Sequence, residues 1–435
     1  MRLTNTLKPI FSILAAGTLL SGCNSLSTSE AEVDKEVSSS SVIDTYIQIA
    51  ESNFQDSLTS AEMLNDAVDA LLENPSEETL SKTKKAWITA RAPYQQTEVY
   101  RFGNETVDDW EGKVNAWPLD EGLIDYVDAD YGTESDENPF YNANIIANPA
   151  PTIGGKQLDA KIIDKAFLSE RLHEIDEVES NVATGYHVIE FLLWGQDLNG
   201  TNQGSGKRPA TDFSLTACTG GNCDRRRDYL KAATELLIDD LQFMAASWKE
   251  EGESRSALHA KGENGGLQTI LTGMGSLAYG ELAGERIKLG LMLHDPEEEH
   301  DCFSDNTHWS HFYDAKGIKN VYLGEYLTVS GQLVEGASLS DLVKQTQPAL
   351  DTEMKTKLNE TEAAMQAMVD LALEGNTFDV LIGEGNTSGN QVVKNVVDAL
   401  VAQAKTTEKI IQALALGNIE IEGSDSLDNP ESIVQ

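Results

Sequence analysis

Basic residues are scarce. Lys and Arg total 32 against 72 Asp and Glu in 435 residues, a formal charge of −40 at pH 7. A surface this negative repels phosphate backbones, which need cationic side chains to neutralise them, so no nucleic-acid partner is expected. It also repels anionic lipid headgroups, which argues against a broad membrane-facing surface. Only four cysteines are present, too few for a disulfide-built scaffold in a chain this long. Beyond the first 22 residues no apolar run is long enough to cross a membrane. A GxxxxGK(S/T) loop, a GxSxG elbow and a glycine fingerprint after a strand are all missing, and with them the chemistries they serve. Strand patterns are sparse. The hydrophobic fraction of 40% still suffices for a core.

What is present begins with an address. Arg2 and Lys8 precede the apolar stretch Pro9 to Leu20, in the charged-then-apolar order of a secretory signal. The stretch ends in Leu20-Ser21-Gly22-Cys23, which resembles a bacterial lipobox. Residues 1–22 are therefore expected to be a lipoprotein signal peptide, with Cys23 carrying the lipid. The alternative is an ordinary signal peptide with an incidental Cys. Asn24, where Asp would favour inner-membrane retention, points by analogy to an outer-membrane anchor facing periplasm or cell surface. Residues 23–41 are Ser- and Glu-rich and read as a flexible tether. Cys218 and Cys223 flank a Thr-Gly-Gly-Asn insert and are expected to pair in an oxidising compartment. Two thiolate ligands are the other option, and Cys302 is left as a buried thiol.

The body has a helical period. Ile43, Ile47, Ala50, Phe54 and Leu58 recur at three-to-four spacing, and Leu64, Val68 and Leu71 extend the stripe. Asn74-Pro75 stops it; Ser76 caps a second helix predicted to run, kinked at Pro93, to Phe102. Residues 104–157 read as an irregular excursion, 158–194 as helix, 195–223 as loop and 224–249 as helix. Further helices are predicted over 265–293, 339–373 and 389–416, with an irregular acidic loop from 294 to about 320. The fold expectation is all-α, two helical bundles of the four-helix type packed side by side with long irregular loops. Their bounds are 42–255 and 256–418, followed by an acidic disordered tail over 419–435.

The most informative stretch is Asn181-Val-Ala-Thr-Gly185-Tyr-His187-Val-Ile-Glu190. Three apart on a helix, His187 and Glu190 share one face. An imidazole beside a carboxylate suits iron, zinc, copper or manganese better than calcium. Gly185 leaves room for a backbone or ligand to approach. A hydrogen-bonded pair without metal is the plainer reading of the same spacing. A second cation candidate is the acidic run Asp295, Glu297, Glu298, Glu299, His300 and Asp301, with Asp305, His308 and His311 nearby. Such runs are usually solvated.

Gly185-x-His187-x-x-Glu190 resembles the GxHxxE signature of the imelysin family, and the chain is similar to its iron-regulated protein A branch. The likeness extends to Trp87 with Arg91-x-Pro93-Tyr94, Glu98, Arg101-Phe102-Gly103 and Trp117-Pro118-Leu119-Asp120. It continues through Arg225-Arg226, Gly284-Glu285-Arg286 and Glu299 to Thr307. The resemblance implies two bundles around a central pocket and a cell-envelope protein linked to iron acquisition. The expected ligand is a metal ion or iron chelate, with iron or another divalent transition metal, zinc included, as the cofactor. A membrane partner in iron uptake is a further expectation. Glu98 is the candidate third metal ligand beside His187 and Glu190. Gly185, Arg101, Asp120, Asp197, Glu285 and Arg286 are pocket candidates. The family was named for peptidases, but the chain has no second His one turn from His187, so binding without turnover is the lighter hypothesis. A metallopeptidase using the HxxE pair and a non-enzymatic interaction scaffold are its rivals.

Overall fold

The computed structural model describes residues 36–135 and 138–433. The signal segment, Cys23 and most of the tether lie outside the described residues. Ser38 opens α1 (Ser39–Glu73): its hydroxyl accepts from the Ser41 amide, and the Ser41 hydroxyl accepts from the Ser38 amide. Ser76 and Thr79 repeat this reciprocal cap at α2 (Glu77–Gln95), where Glu77 and Glu78 face the positive helix end. The second helix is shorter than its sequence pattern suggests. It stops at Gln95, and Glu98–Tyr100 forms a separate 3-10 turn. Pro93 supplies no amide to the ladder, and its carbonyl accepts from Asn53 Nδ2 of α1 at 2.7 Å.

The other main helices are α3 (Glu105–Asn115), α4 (Gly185–Trp194), α5 (Cys223–Ser247), α6 (Gly262–Ser276), α7 (Thr307–Leu323), α8 (Pro348–Leu373) and α9 (Thr387–Ala413). A π-helical segment, Leu277–Lys288, continues α6. The strands, among the described residues, are two short antiparallel hairpins. The fold is all-α. α1 packs on α2 and α5, and α4 lies against α2, α3 and α5. In the second half α9 packs on α8 and the π-helical segment, and α7 on α8. α7 also packs on α2, and α1 on α6, so one apolar core runs through both halves of the unit formed by residues 37–435. No helix among the described residues is long and apolar enough to cross a membrane.

Three segments depart from the expectation, each for a local reason. Residues 158–194 are not one helical run. Lys165–Leu172 is a short helical piece, Glu174, Asp176 and Glu177 take positive φ, and the helix restarts only at Gly185. The predicted loop 294–320 contains most of α7. The first half of that helix buries His308, Ser310, His311 and Asp314, so its inward face turns apolar only from Ala315 through Ile318, Val321 and Tyr322, too short a stripe to mark the helix. The acidic segment 419–433 is laid against the π-helical segment and the end of α6. A Cβ on Gly275 would meet Ile421 at 2.7 Å, and one on Gly284 would collide with Ser424. The missing side chains make a groove, and Ser426 Oγ donates to the Gly284 carbonyl within it.

Candidate metal centre

α4 begins where the chain can turn only with glycine. Gly185 has φ +86°, and a Cβ there would collide with the Val114 carbonyl oxygen. The close approach is therefore made by the backbone ending α3. This contact seats α4 so that His187 and Glu190 point the same way, His187 Nδ1 lying 3.2 Å from Glu190 Oε2. Both side chains are fully buried. The pair does not line a solvent-open pocket. The cavity of about 340 Å³ at the end of α4 is lined by Tyr126, Trp194, Gly195, Lys207 and Arg208 and reaches neither residue.

The surroundings are polar nonetheless. Asp301 Oδ1 stands 3.8 Å from His187 Nδ1, and Arg91 Nη2 pairs with the same oxygen at 2.7 Å. Asn306 and Ser310 donate to Asp301 Oδ2. The Ser304 amide and hydroxyl both donate to Glu190 Oε1, at 2.9 and 2.7 Å. The His300 ring lies 4.8 Å from the His187 ring, nearly edge-on, and Trp117 covers both. Ligand atoms of His187, His300 and Asp301 fall within 4.8 Å of one another. The two sequence candidates, the HxxE pair and the acidic run, thus meet at one point.

The donors are in the form a cation needs. Burial first, then the Arg91 charge, pushes the His187 imidazole well below its ordinary pKa; burial and Arg286 do the same to His300. Both rings are therefore neutral. Burial raises the Asp301 carboxyl, but the Arg91 charge and the hydrogen bonds from Ser310 and Asn306 outweigh that and bring it down to about 2. Burial, with Asp301 beside it, raises Glu190 well above the usual carboxylate range. His187 Nε2 and His300 Nδ1, both buried, have no hydrogen-bond partner. Two neutral imidazoles and one carboxylate fit a divalent transition metal, with Glu190 placed to orient His187.

The imelysin family pattern matches residues 50–407. The chain belongs to the imelysin family. It is 21% identical over 387 residues to a protein named iron-regulated protein A from Synechococcus elongatus, covering 86% of this chain and 83% of that one. A structure described as an iron-regulated protein A precursor, from Parabacteroides distasonis, superposes with a TM-score of 0.62 at 18% identity, covering 86% and 94% of the two chains. An imelysin-like protein from Psychrobacter arcticum gives 0.54 at 14% identity, covering 87% and 97%. These structural likenesses place the imelysin fold.

The remaining candidates of this imelysin sit elsewhere. Glu98 is not a third ligand: its Oε2 is taken by Arg286 Nη2 at 2.6 Å, in a buried network with Glu281 and Asp314. Arg101 is bound to Asp108 and Glu281 rather than to a pocket. Asp120 accepts from Ser180 and Asn138 and fastens loops. Glu285 faces solvent. Asp197 belongs to a separate carboxylate group with Asp305 and Asp379. Cys218 and Cys223 form a disulfide, and Cys302 is a buried free thiol. Arg91, Asn115 and Ser304 complete the centre; nothing in the sequence marks Asn115, while Ser304 stands in the family-like run from Glu299 to Thr307. Arg91 stood in the family-like string beginning at Trp87; its partner lies 210 residues away.

Near the centre, burial lowers His308 to about 4. The unfolded chain takes up a proton there below pH 6.5 that the fold refuses, so this residue withdraws stability as pH falls. Relative to the natural chain, His308→Gln should gain about 2 kcal/mol of folding stability between pH 7 and pH 5. Urea unfolding of both proteins at the two pH values measures the difference. An unchanged difference would place a charged imidazole in the fold.

Proposed function

We propose that this imelysin is a lipid-anchored protein of the bacterial cell envelope that holds a divalent transition metal, iron foremost, and takes part in iron acquisition. His187, His300 and Asp301 are the ligands, and Glu190 orients His187. The observation that carries the reading is the pair of partnerless buried nitrogens, His187 Nε2 and His300 Nδ1, on rings 4.8 Å apart, in one cluster with the ionised Asp301. An imidazole nitrogen left unpaired in a protein interior is costly unless something binds it. Iron is favoured by the names of the relatives; the anchor rests on the lipobox at Cys23. Enclosure suits a bare ion better than a chelate and leaves a peptide no seat at His187, which weighs against the peptidase reading.

Elemental analysis of natively purified protein tests this. A stoichiometric transition metal is expected, lost from His187→Ala and from His300→Ala, with denatured protein substrates left uncut. Metal retained by both variants would remove the ligands from the proposal. Cleavage abolished by Glu190→Gln would restore the peptidase.

A further inference from the structure

A second group of carboxylates lies outside the metal centre. Asp197 follows α4, Asp305 ends the loop carrying His300 and Asp301, and Asp379 sits in the short helix Phe378–Ile382 of the second half. One oxygen from each falls within 4.8 Å of the other two. Calcium binds oxygens at about 2.4 Å, so two of its ligands can stand at most about 4.8 Å apart. The spacing fits a single ion.

Hydrogen bonds serve only part of this group: the Asn199 amide and Nδ2 donate to Asp197 Oδ1, and the Gly204 backbone bonds to Asp305. Asp379 is wholly buried, and neither of its oxygens has a well-formed hydrogen bond, although the Thr377 hydroxyl and the Val380 amide stand near. Glu299, also buried, has a partnerless Oε1, and the charges that act on it are Asp379, Asp305 and Asp197. Lys207 is the cation that acts on Asp197. Burial and the neighbouring carboxylates push Asp305 up to about 8, and burial takes Asp379 to about 6. Four carboxyl groups facing one another with so little positive charge are mutually unfavourable.

We propose that Asp197, Asp305 and Asp379, with Glu299 alongside, bind a hard divalent cation of the calcium class. An all-oxygen donor set selects against the softer metals suited to His187 and His300. The ion joins three segments distant in sequence. Asp305 directly follows Ser304, whose amide and hydroxyl hold Glu190. Filling this site therefore braces the loop that completes the transition-metal centre.

The test is thermal melting and calorimetry of the metal-free full chain titrated with CaCl2 at constant ionic strength, with MgCl2 in parallel. A saturable calcium-dependent rise in Tm is expected, roughly 2 °C or more at ten times Kd. Asp379→Asn should lose the rise while its metal-free form melts no lower than the natural chain, since the substitution relieves repulsion. Asp305→Asn provides the same comparison if Asp379→Asn fails to fold. The exposed-site variant Glu285→Gln should keep the full response. No saturable rise in the natural chain overturns the proposal. So does a rise that persists in Asp379→Asn or matches that with magnesium, because diffuse screening of a −40 chain would behave that way.

Discussion

Arg91→Met should lower folding stability by about 3–5 kcal/mol, the range found when one partner of a buried ion pair is removed. Arg91 is 1% exposed and Asp301 fully buried, so solvent screens little of their 2.7 Å contact. The guanidinium also donates to Asn115 Oδ1 at 2.6 Å and stacks near Trp87, Tyr94 and Tyr186. Methionine keeps much of the packing and removes the charge, leaving Asp301 as an uncompensated anion. Adding Asp301→Asn should recover a substantial part of the loss, because the stranded charge goes too. Urea unfolding of the two single variants and the double variant gives the coupling. A loss below about 1 kcal/mol in Arg91→Met would mean that Asp301 is not held as an anion by this residue.

Gly185→Ala should cost about 2–5 kcal/mol and release the bound metal. The left-handed backbone costs a non-glycine residue about 1–2 kcal/mol, and forcing an extra carbon into a packed site costs about 1–3 kcal/mol more. The obstacle is the Val114 backbone, which cannot rotate aside as a side chain would. α4 must move, and His187 and Glu190 move with it. Gly112→Ala is the control. It lies within α3, a Cβ there would have nothing within 4 Å, and its φ is not positive, so alanine should stabilise by about 0.5–1 kcal/mol. Denaturation and elemental analysis of the pair decide the matter; equal behaviour of the two variants would refute the packing argument.

Much of the fold was readable because its apolar faces keep the helical period. α1, α5 and α9 follow stripes visible in the chain, and Ser76 caps α2 as its position suggests. Where the buried face is polar, the signal vanished. α7 turns His308, His311 and Asp314 inward, so a rule that looks for Leu and Val reads it as loop. The same limit hid the metal centre. His187 and Glu190 were legible because three residues of helix join them. His300 and Asp301 were noticed, but as a separate acidic run, because a linear chain does not say which loop returns to which helix. Glu98 drew attention by position and proved committed to Arg286 across the fold.

The chain by itself determined the all-helical class, the family and the one-sided placement of His187 and Glu190, and left the Cys218–Cys223 disulfide as one of two options. These follow from short-range regularities: helical periodicity, spacing of a few residues, and side-chain chemistry. The tertiary structure alone decided that the pair is enclosed, that Asp301 and His300 join it, that Arg91 holds Asp301 ionised, and that three distant aspartates meet. Those outcomes depend on which segments pack together, and burial shifts ionisable groups only once that packing has removed their water.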